Sequence, residues 1–204
     1  SLEKLDISSF ETGNVTTFKE MFYGCSSLCA LDLSHFDTSA ATTFASMFYN
    51  CSSLSSLNVS MFDTSAATDL SRAFYGCGSL TELDLSRAST AKVETFYGVF
   101  SGCSGLTRID LSLLDTSSAK NLSYLFADCS KLESVNVSGI KTSTVTDFNH
   151  MFSGCSSLKS LDLSSFDTSA AKDLSCLFYG CSSLASLNLS SFDTSNVEQM
   201  TYLF

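Results

Sequence analysis

Residues 28–53 read LCALDLSHFDTSAATTFASMFYNCSS, and close variants of this 26-residue stretch follow one another along the whole chain. No insertion or deletion separates successive copies. The period is marked by seven cysteines: Cys25, Cys51, Cys77, Cys103, Cys129, Cys155 and Cys181. A fixed period of about 20–50 residues is typical of a solenoid, in which each repeat is one coil and equivalent side chains stack.

Phenylalanine, leucine and threonine recur on the same period and predict stacked columns. The phenylalanines are Phe22, Phe48, Phe74, Phe100, Phe126, Phe152, Phe178 and Phe204. The leucines are Leu2, Leu28, Leu54, Leu80, Leu106, Leu132, Leu158 and Leu184. The threonines are Thr12, Thr38, Thr64, Thr90, Thr116, Thr142, Thr168 and Thr194. The chain therefore holds almost eight coils.

Composition limits the class of protein and its partners. The 204 residues are 44% hydrophobic, which is typical of a folded chain, and carry a net charge of −10 with only 11 basic residues. A nucleic-acid partner is not expected, because binding it needs clustered Lys and Arg. No apolar run approaches the ~18–20 residues of a membrane span. We expect one solenoid over residues 1–204, as a segment of a longer protein, because both ends fall inside the repeat.

Each repeat begins with an LxxLxL pattern, whose alternation predicts a short strand with its leucines directed inward. A turn follows, and then apolar residues spaced as on one face of a short helix. In the quoted repeat these are Ala41, Phe44, Met47 and Phe48. Gly, Asn or Asp, which tolerate the left-handed conformation, ends each predicted helix. The prediction is an α/β solenoid with a parallel sheet on the concave face and short helices on the convex face.

The repeat LDLSxFDTSxxTxFxxMFxGCSSL resembles the leucine-rich repeat family, and most closely the BspA-like leucine-rich repeat surface proteins. The resemblance covers the whole chain and implies a leucine-rich-repeat fold. It also implies an extracellular or cell-surface location and a role in adhesion and protein binding. The usual Asn column after the strand is missing, and we expect hydroxyls of the Thr column to bond the turn backbone instead.

The cysteine column is odd in number, and a shared rotamer would hold its sulfurs side by side. We therefore predict a file of buried free thiols that act as small apolar groups. Cys29 and Cys176 stand outside the column, and Cys176 is expected to face outward as a reactive thiol. No paired His or CxxC supports a zinc site, so neither a metal nor a cofactor is expected.

No catalytic constellation is visible in the repeat. His35 and His150 fall at different repeat positions in distant coils. The nucleophile-elbow and phosphate-loop signatures are absent. The sequence therefore predicts a protein that is not an enzyme.

Two polar columns follow the outward face of the predicted strands. The first comprises Asp6, Asp32, Asn58, Asp84, Asp110, Asn136, Asp162 and Asn188, and a serine stands two residues after each member. Three interpretations stay open: a binding face for a protein or glycan, a row of weak calcium sites, or a solvated face held by its own hydrogen bonds. Repeats vary most beside these columns, where Glu82, Arg87 and Arg108 are predicted to cluster. The candidate binding residues are Asp32, Asn58, Glu82, Asp84, Arg87, Arg108, Asp110 and Asn136.

A second candidate surface is an aromatic column of Tyr23, Tyr49 and Tyr75, which breaks off at Ser101. Aromatic side chains are favoured at interfaces. The alternative is that these rings only pack over the ends of the predicted helices.

The leading functional hypothesis is a non-catalytic adhesion or binding module that presents a rigid repeated surface to a protein or glycan. The alternative is structural: uniform coils with bare ends would stack end to end into a filament or surface layer. Ice or mineral binding by the regular Ser and Asp columns is a third hypothesis.

Overall fold

A computed structural model describes residues 2–204 of the chain. The LxxLxL segments of successive coils form six short strands: β1 (Ala30–Leu31), β2 (Ser56–Leu57), β3 (Arg108–Asp110), β4 (Ser134–Asn136), β5 (Ser160–Asp162) and β6 (Ser186–Asn188). They pair in parallel as β1–β2, β3–β4 and β5–β6, with equivalent residues of neighbouring coils in register. This arrangement confirms the predicted solenoid with parallel strands.

The short helices predicted after each strand are wrong, because residues 2–204 contain no helix. The backbone N–H groups of Phe44, Ser46 and Phe48 donate to carbonyl oxygens of the next coil, not to residues four positions back. Ser46 also has a φ of 55°, in the left-handed region, where the helix was expected to continue. The chain forms tight turns in this segment. One of them is closed by the 3.0 Å hydrogen bond from Met47 N–H to Phe44 O. The described part of the chain thus has no helix that could cross a membrane.

The inter-coil hydrogen bonds run without a gap along the side that was predicted to be helical, which we call the turn side. Its parallel bridges join coil to coil at Thr17, Thr43, Asp69, Thr95, Asn121, Asp147, Asp173 and Gln199. The opposite side, the strand face, is paired only two coils at a time. Regular backbone bonding therefore lies mainly on the turn side.

Left-handed residues occur where the sequence placed helix caps, although no helix precedes them. Asn50 has a φ of 56° and Asp128 a φ of 60°, and glycines stand at the equivalent position of five other coils. The predicted conformation is confirmed, and its role is to close a turn.

The core lies between the two sides and consists of the predicted columns. Phe48 stacks between Phe22 and Phe74, with ring centroids 5.5 Å from each. Leu54 and Cys51 beside it are fully buried. Because every coil repeats these contacts, stability is spread along the chain in nearest-neighbour terms, as in other solenoids.

The cysteine column is a file of free thiols, as predicted. Each thiol from the second coil onward donates to a backbone carbonyl oxygen of the preceding coil, as Cys51 does to Phe22 O at 3.1 Å. Burial raises the pKa of Cys51 and of Cys103 to about 12. These thiols therefore act as small apolar groups with a weak hydrogen bond.

The threonine column takes the structural role that was predicted for it. The hydroxyl of buried Thr38 accepts a 2.8 Å hydrogen bond from Asp63 N–H and donates to Asp63 O at 3.1 Å. Thr12, Thr142 and Thr168 make the same pair of contacts one coil on. Each hydroxyl ties its own coil to the turn of the next coil.

Candidate binding surfaces

An open groove of about 780 Å³ lies on the strand face across the third to sixth coils. Six of the eight predicted binding residues line it: Asn58, Glu82, Asp84, Arg108, Asp110 and Asn136. Asp32 and Arg87 lie outside its lining. Its volume falls within the ~300–1,000 Å³ of ligand pockets. We call this feature the strand-face groove.

The groove forms where the pairing of strands is interrupted. Strand β2 pairs only with β1, β3 pairs only with β4, and residues 81–85 between them form no strand. Within the described chain, Glu82, Leu83 and Asp84 make no backbone hydrogen bond to a neighbouring coil. The nearest link is a long 3.5 Å contact from Thr107 N–H to Thr81 O. Backbone donors and acceptors therefore stay available at the groove.

The Asp/Asn column is fixed by hydrogen bonds within each coil. Asp84 Oδ1 accepts from Ser86 N–H at 2.9 Å, and Asp110 Oδ1 accepts from Ser112 N–H at 2.8 Å. Hydrogen bonds from Ser86 lower the pKa of Asp84, and those from Ser112 lower the pKa of Asp110. The carboxylates are therefore ionised and held in place before any ligand arrives.

The same geometry bears on the calcium hypothesis. Residues 2–204 contain no group of three or more His, Cys, Asp or Glu side chains that could hold a metal ion. One oxygen of each column carboxylate is already used to close its own turn. Asp37, in the turn that follows the strand segment, does the same, since its Oδ1 accepts from Ser39 N–H at 3.0 Å. These carboxylates serve as hydrogen-bond acceptors for backbone N–H groups.

The predicted cluster of charges is only partly assembled. Glu82 and Arg108 both line the strand-face groove. Arg87 lines a separate small apolar space, although its charge contributes to lowering the pKa of Asp84. None of the three joins an ion pair in the described part of the chain; the ion pairs found there lie elsewhere. The charges of Glu82 and Arg108 are thus uncompensated by a pair within the chain.

The predicted tyrosines form a stacked column on the molecule's surface. The rings of Tyr23 and Tyr49 lie 4.5 Å apart, and those of Tyr49 and Tyr75 lie 4.6 Å apart, nearly parallel in both pairs. Tyr23 at the start of the column is 53% exposed. The rings pack on one another, and a binding role for them stays a prediction.

Sequence reasoning missed a second group of side chains beside this column. The guanidinium of Arg72 lies 4.7 Å from the ring centroid of Tyr97 and donates to its hydroxyl at 3.2 Å. Tyr97 meets Tyr124 edge-on at 5.6 Å, and Tyr124 stacks on His150 at 4.6 Å. The signal was a run of aromatic and basic residues at one repeat position, namely Arg72, Tyr124 and His150.

Comparison with solved structures finds matches that include three bacterial proteins. The leucine-rich repeat protein TpLRR of T. pallidum is 24% identical, with a TM-score of 0.51, over 81% of this chain and 69% of that one. A leucine-rich repeat protein of Bacteroides ovatus is 18% identical (TM-score 0.36; 89% and 65%). The functional domain of InlJ from Listeria monocytogenes, which includes a cysteine ladder, is 16% identical (TM-score 0.25; 97% and 50%). The first of these supports the leucine-rich-repeat fold.

A search of curated proteins finds no match to this chain. A family model does match, and its two segments, residues 1–109 and 94–204, together cover the whole sequence. That model is described as "Mycoplasma protein of unknown function, DUF285". The resemblance to leucine-rich repeat proteins is thus upheld at the level of the fold, and the chain belongs to the DUF285 family.

Proposed function

We propose that the chain is a non-catalytic binding or adhesion module, placed outside the cell or on its surface, whose strand-face groove holds a partner protein. The observation that carries this proposal is the groove itself, which gathers six residues from four successive coils. Hydrogen bonds within each coil fix the Asp and Asn side chains of the groove, so these side chains lose little conformational entropy when a partner docks.

The partner's docking segment is an extended polypeptide. At the groove, the backbone N–H and C=O groups of Glu82, Leu83 and Asp84 make no hydrogen bond to a neighbouring coil. Extended peptides bind unpaired backbone groups of this kind through main-chain hydrogen bonds, which supply affinity. Alternate side chains of the added segment would then meet the groove's polar walls.

Charge favours a basic segment. The groove is lined by three carboxylates, Glu82, Asp84 and Asp110, against the single cation Arg108. The chain as a whole carries a net charge of −10, which steers positively charged partners toward it. Charge complementarity of this kind mainly raises the association rate and selects the partner.

Selection of linear peptides from a phage-displayed library on the immobilised chain tests the proposal. We expect enrichment of peptides rich in Lys and Arg, and at least about a tenfold weaker binding of those peptides to the Glu82→Lys variant, equivalent to ~1.4 kcal/mol. Glu94→Lys is the matched control, because it changes the net charge equally at an exposed site outside the groove.

Two results contradict the proposal. One is enrichment of acidic or uncharged peptides, and the other is equal binding by Glu82→Lys and the unmodified chain. Association rates measured at two salt concentrations add a second readout, because rate enhancement by steering falls with ionic strength.

A further inference from the structure

The tyrosine column has a vacant place at the fourth coil. Each ring of the column follows the last by 4.5 or 4.6 Å, so the next ring would lie against Tyr75. The chain places Ser101 at that repeat position, where the three preceding coils have tyrosine. Gly98 beside it has no side chain to fill the space. One face of the Tyr75 ring is therefore left without the neighbour that its position in the repeat provides elsewhere.

A pocket of about 220 Å³ occupies this place. Its walls are aromatic, from Tyr49, Tyr75, Tyr97 and Tyr124, and its polar groups are Arg72 and Asp128. We call it the tyrosine notch. It is smaller than the ~300–1,000 Å³ typical of pockets for drug-sized ligands, so it suits a single ring better than an extended chain. It shares no lining residue with the strand-face groove.

The two charged groups of the notch are of opposite sign. Arg72 is held over the Tyr97 ring and bonded to its hydroxyl, so its guanidinium is positioned in advance. Asp128 is exposed and occupies the left-handed position that closes its turn. A cationic ligand would meet Arg72, and an anionic ligand would meet Asp128. One positive and one negative group together favour a neutral ligand, whose hydroxyl groups can donate to Asp128 and accept from Arg72.

We propose that the tyrosine notch binds one ring of a neutral carbohydrate, stacked on Tyr75 in the place of the missing tyrosine. The polarised C–H groups of a sugar face match the negative face of an aromatic ring. Its hydroxyls donate to the Asp128 carboxylate and accept from Arg72, and hydrogen bonds to charged groups are the stronger kind. The site is a glycan-recognition site, separate from the groove that takes a polypeptide.

The vacancy itself supplies the test. Ser101→Tyr restores the residue that Tyr23, Tyr49 and Tyr75 occupy, so it fills the notch with a side chain that this fold already accepts. Ser153→Tyr is the matched control, since it makes the same change at the same repeat position two coils on, outside the notch. Far-UV circular dichroism of both variants checks that they fold.

Binding is followed by tyrosine fluorescence, because the chain has seven tyrosines and no tryptophan. The probes are glucose, galactose, mannose, N-acetylglucosamine and their disaccharides. We expect saturable binding of at least one probe by the unmodified chain and by Ser153→Tyr. We expect at least about a tenfold loss in Ser101→Tyr, equivalent to ~1.4 kcal/mol.

A second variant keeps the test decisive if Ser101→Tyr does not fold. Asp128→Asn preserves the left-handed turn, since Asn50 stands at that position in the second coil with a φ of 56°. It removes the charged acceptor and is expected to weaken sugar binding severalfold. The proposal is overturned if no sugar binds, if Ser101→Tyr and Ser153→Tyr bind alike, or if choline or indole binds where the sugars do not.

Discussion

At the scale of single residues, the columns identified in the sequence were placed correctly because each one has the same surroundings in every coil. Cys51 and Phe48 are buried against copies of themselves, and period alone is enough to predict that. Residues that interrupt a column were harder to interpret. Arg72 and Tyr124 lie at a repeat position with varied occupants, so their approach to Tyr97 could be seen only in three dimensions.

The threonine column leads to a stability prediction. Replacing Thr38 by valine keeps the shape but leaves Asp63 N–H and Asp63 O without their partner. Asp63 is exposed, so water can replace part of what is lost; each missing hydrogen bond should cost about 0.5–1.5 kcal/mol, and the urea midpoint should fall accordingly. Thr107→Val is the control, because Thr107 is exposed and its hydroxyl makes no hydrogen bond within the described chain. Equal midpoints for the two variants would contradict the structural role of the column.

The buried thiols predict a loss of stability in alkaline solution. Burial raises the folded-state pKa of Cys51 and Cys103 to about 12, above the ~8.5 of a free thiol. Above about pH 8.5 the unfolded chain therefore binds fewer protons than the folded chain, so the free energy of unfolding falls as pH rises toward 12. Each such thiol contributes up to ~1.4 kcal/mol per pH unit in that window.

Urea unfolding at pH 7, 9 and 10.5 measures this dependence. The free energy of unfolding should be nearly constant from pH 7 to about 8 and should then decline. Replacing Cys51 by alanine should make the decline shallower, whereas replacing the exposed Cys29 should leave it unchanged. A free energy of unfolding that stays constant between pH 9 and 10.5 would show that burial does not raise the pKa of these thiols.

At the scale of elements, the strands were predictable and the helices were not. Alternation in LxxLxL fits only a strand, whereas the apolar spacing around Phe44 and Met47 fits either a helix or a series of tight turns. The left-handed φ of 55° at Ser46 shows that the segment is a series of turns. A serine in the sequence does not predict that conformation. The equivalent Gly98 was the one hint in the sequence that this position is left-handed.

Ser46→Gly distinguishes the turn from a helix by the sign of its effect. In a left-handed position glycine relieves a steric cost of roughly 1–2 kcal/mol, so we expect stabilisation of up to about 1 kcal/mol once the entropy of glycine is offset. In a helix the same change would destabilise by ~0.5–1 kcal/mol. Ala45→Gly next to it is the control and should destabilise. The urea midpoints of both variants are the measurement.

At the scale of the whole molecule, repulsion from the net charge affects the free energy of unfolding more than the ion pairs do. Pairs such as Lys120–Glu94 at 2.8 Å and Lys159–Glu133 at 3.1 Å link neighbouring coils but are largely exposed. Exposed pairs contribute about 0–1 kcal/mol each, whereas a net charge of −10 repels itself along the entire solenoid. Ionic strength therefore affects the repulsion more than the attraction.

Raising NaCl from about 0.05 to 0.5 M should thus increase the free energy of unfolding, because the Debye length shrinks and the repulsion is screened. Urea unfolding at several salt concentrations measures the change. Lys120→Ala should change the free energy of unfolding by less than about 1 kcal/mol at any salt concentration. A marked fall in stability with added salt would mean that the ion pairs dominate.

The position of the candidate site followed only partly from the sequence. The groove gathers six of the eight predicted residues because the polar columns run in register from coil to coil. The interruption of strand pairing around Leu83 was not predictable, since that repeat reads LTELDL like its neighbours. Nor was the position of Arg87, which lies beside the groove and not within it.

Unequal bonding on the two sides has a mechanical consequence. The turn side has parallel bridges between all successive coils, whereas strand pairing on the strand face is limited to β1–β2, β3–β4 and β5–β6. A bending force would therefore separate neighbouring strand pairs on the strand face first, while the hydrogen bonds of the turn side stay intact. The molecule would bend most easily on the strand face. A pulling force on a partner bound in the strand-face groove would therefore act on the coils that form its walls.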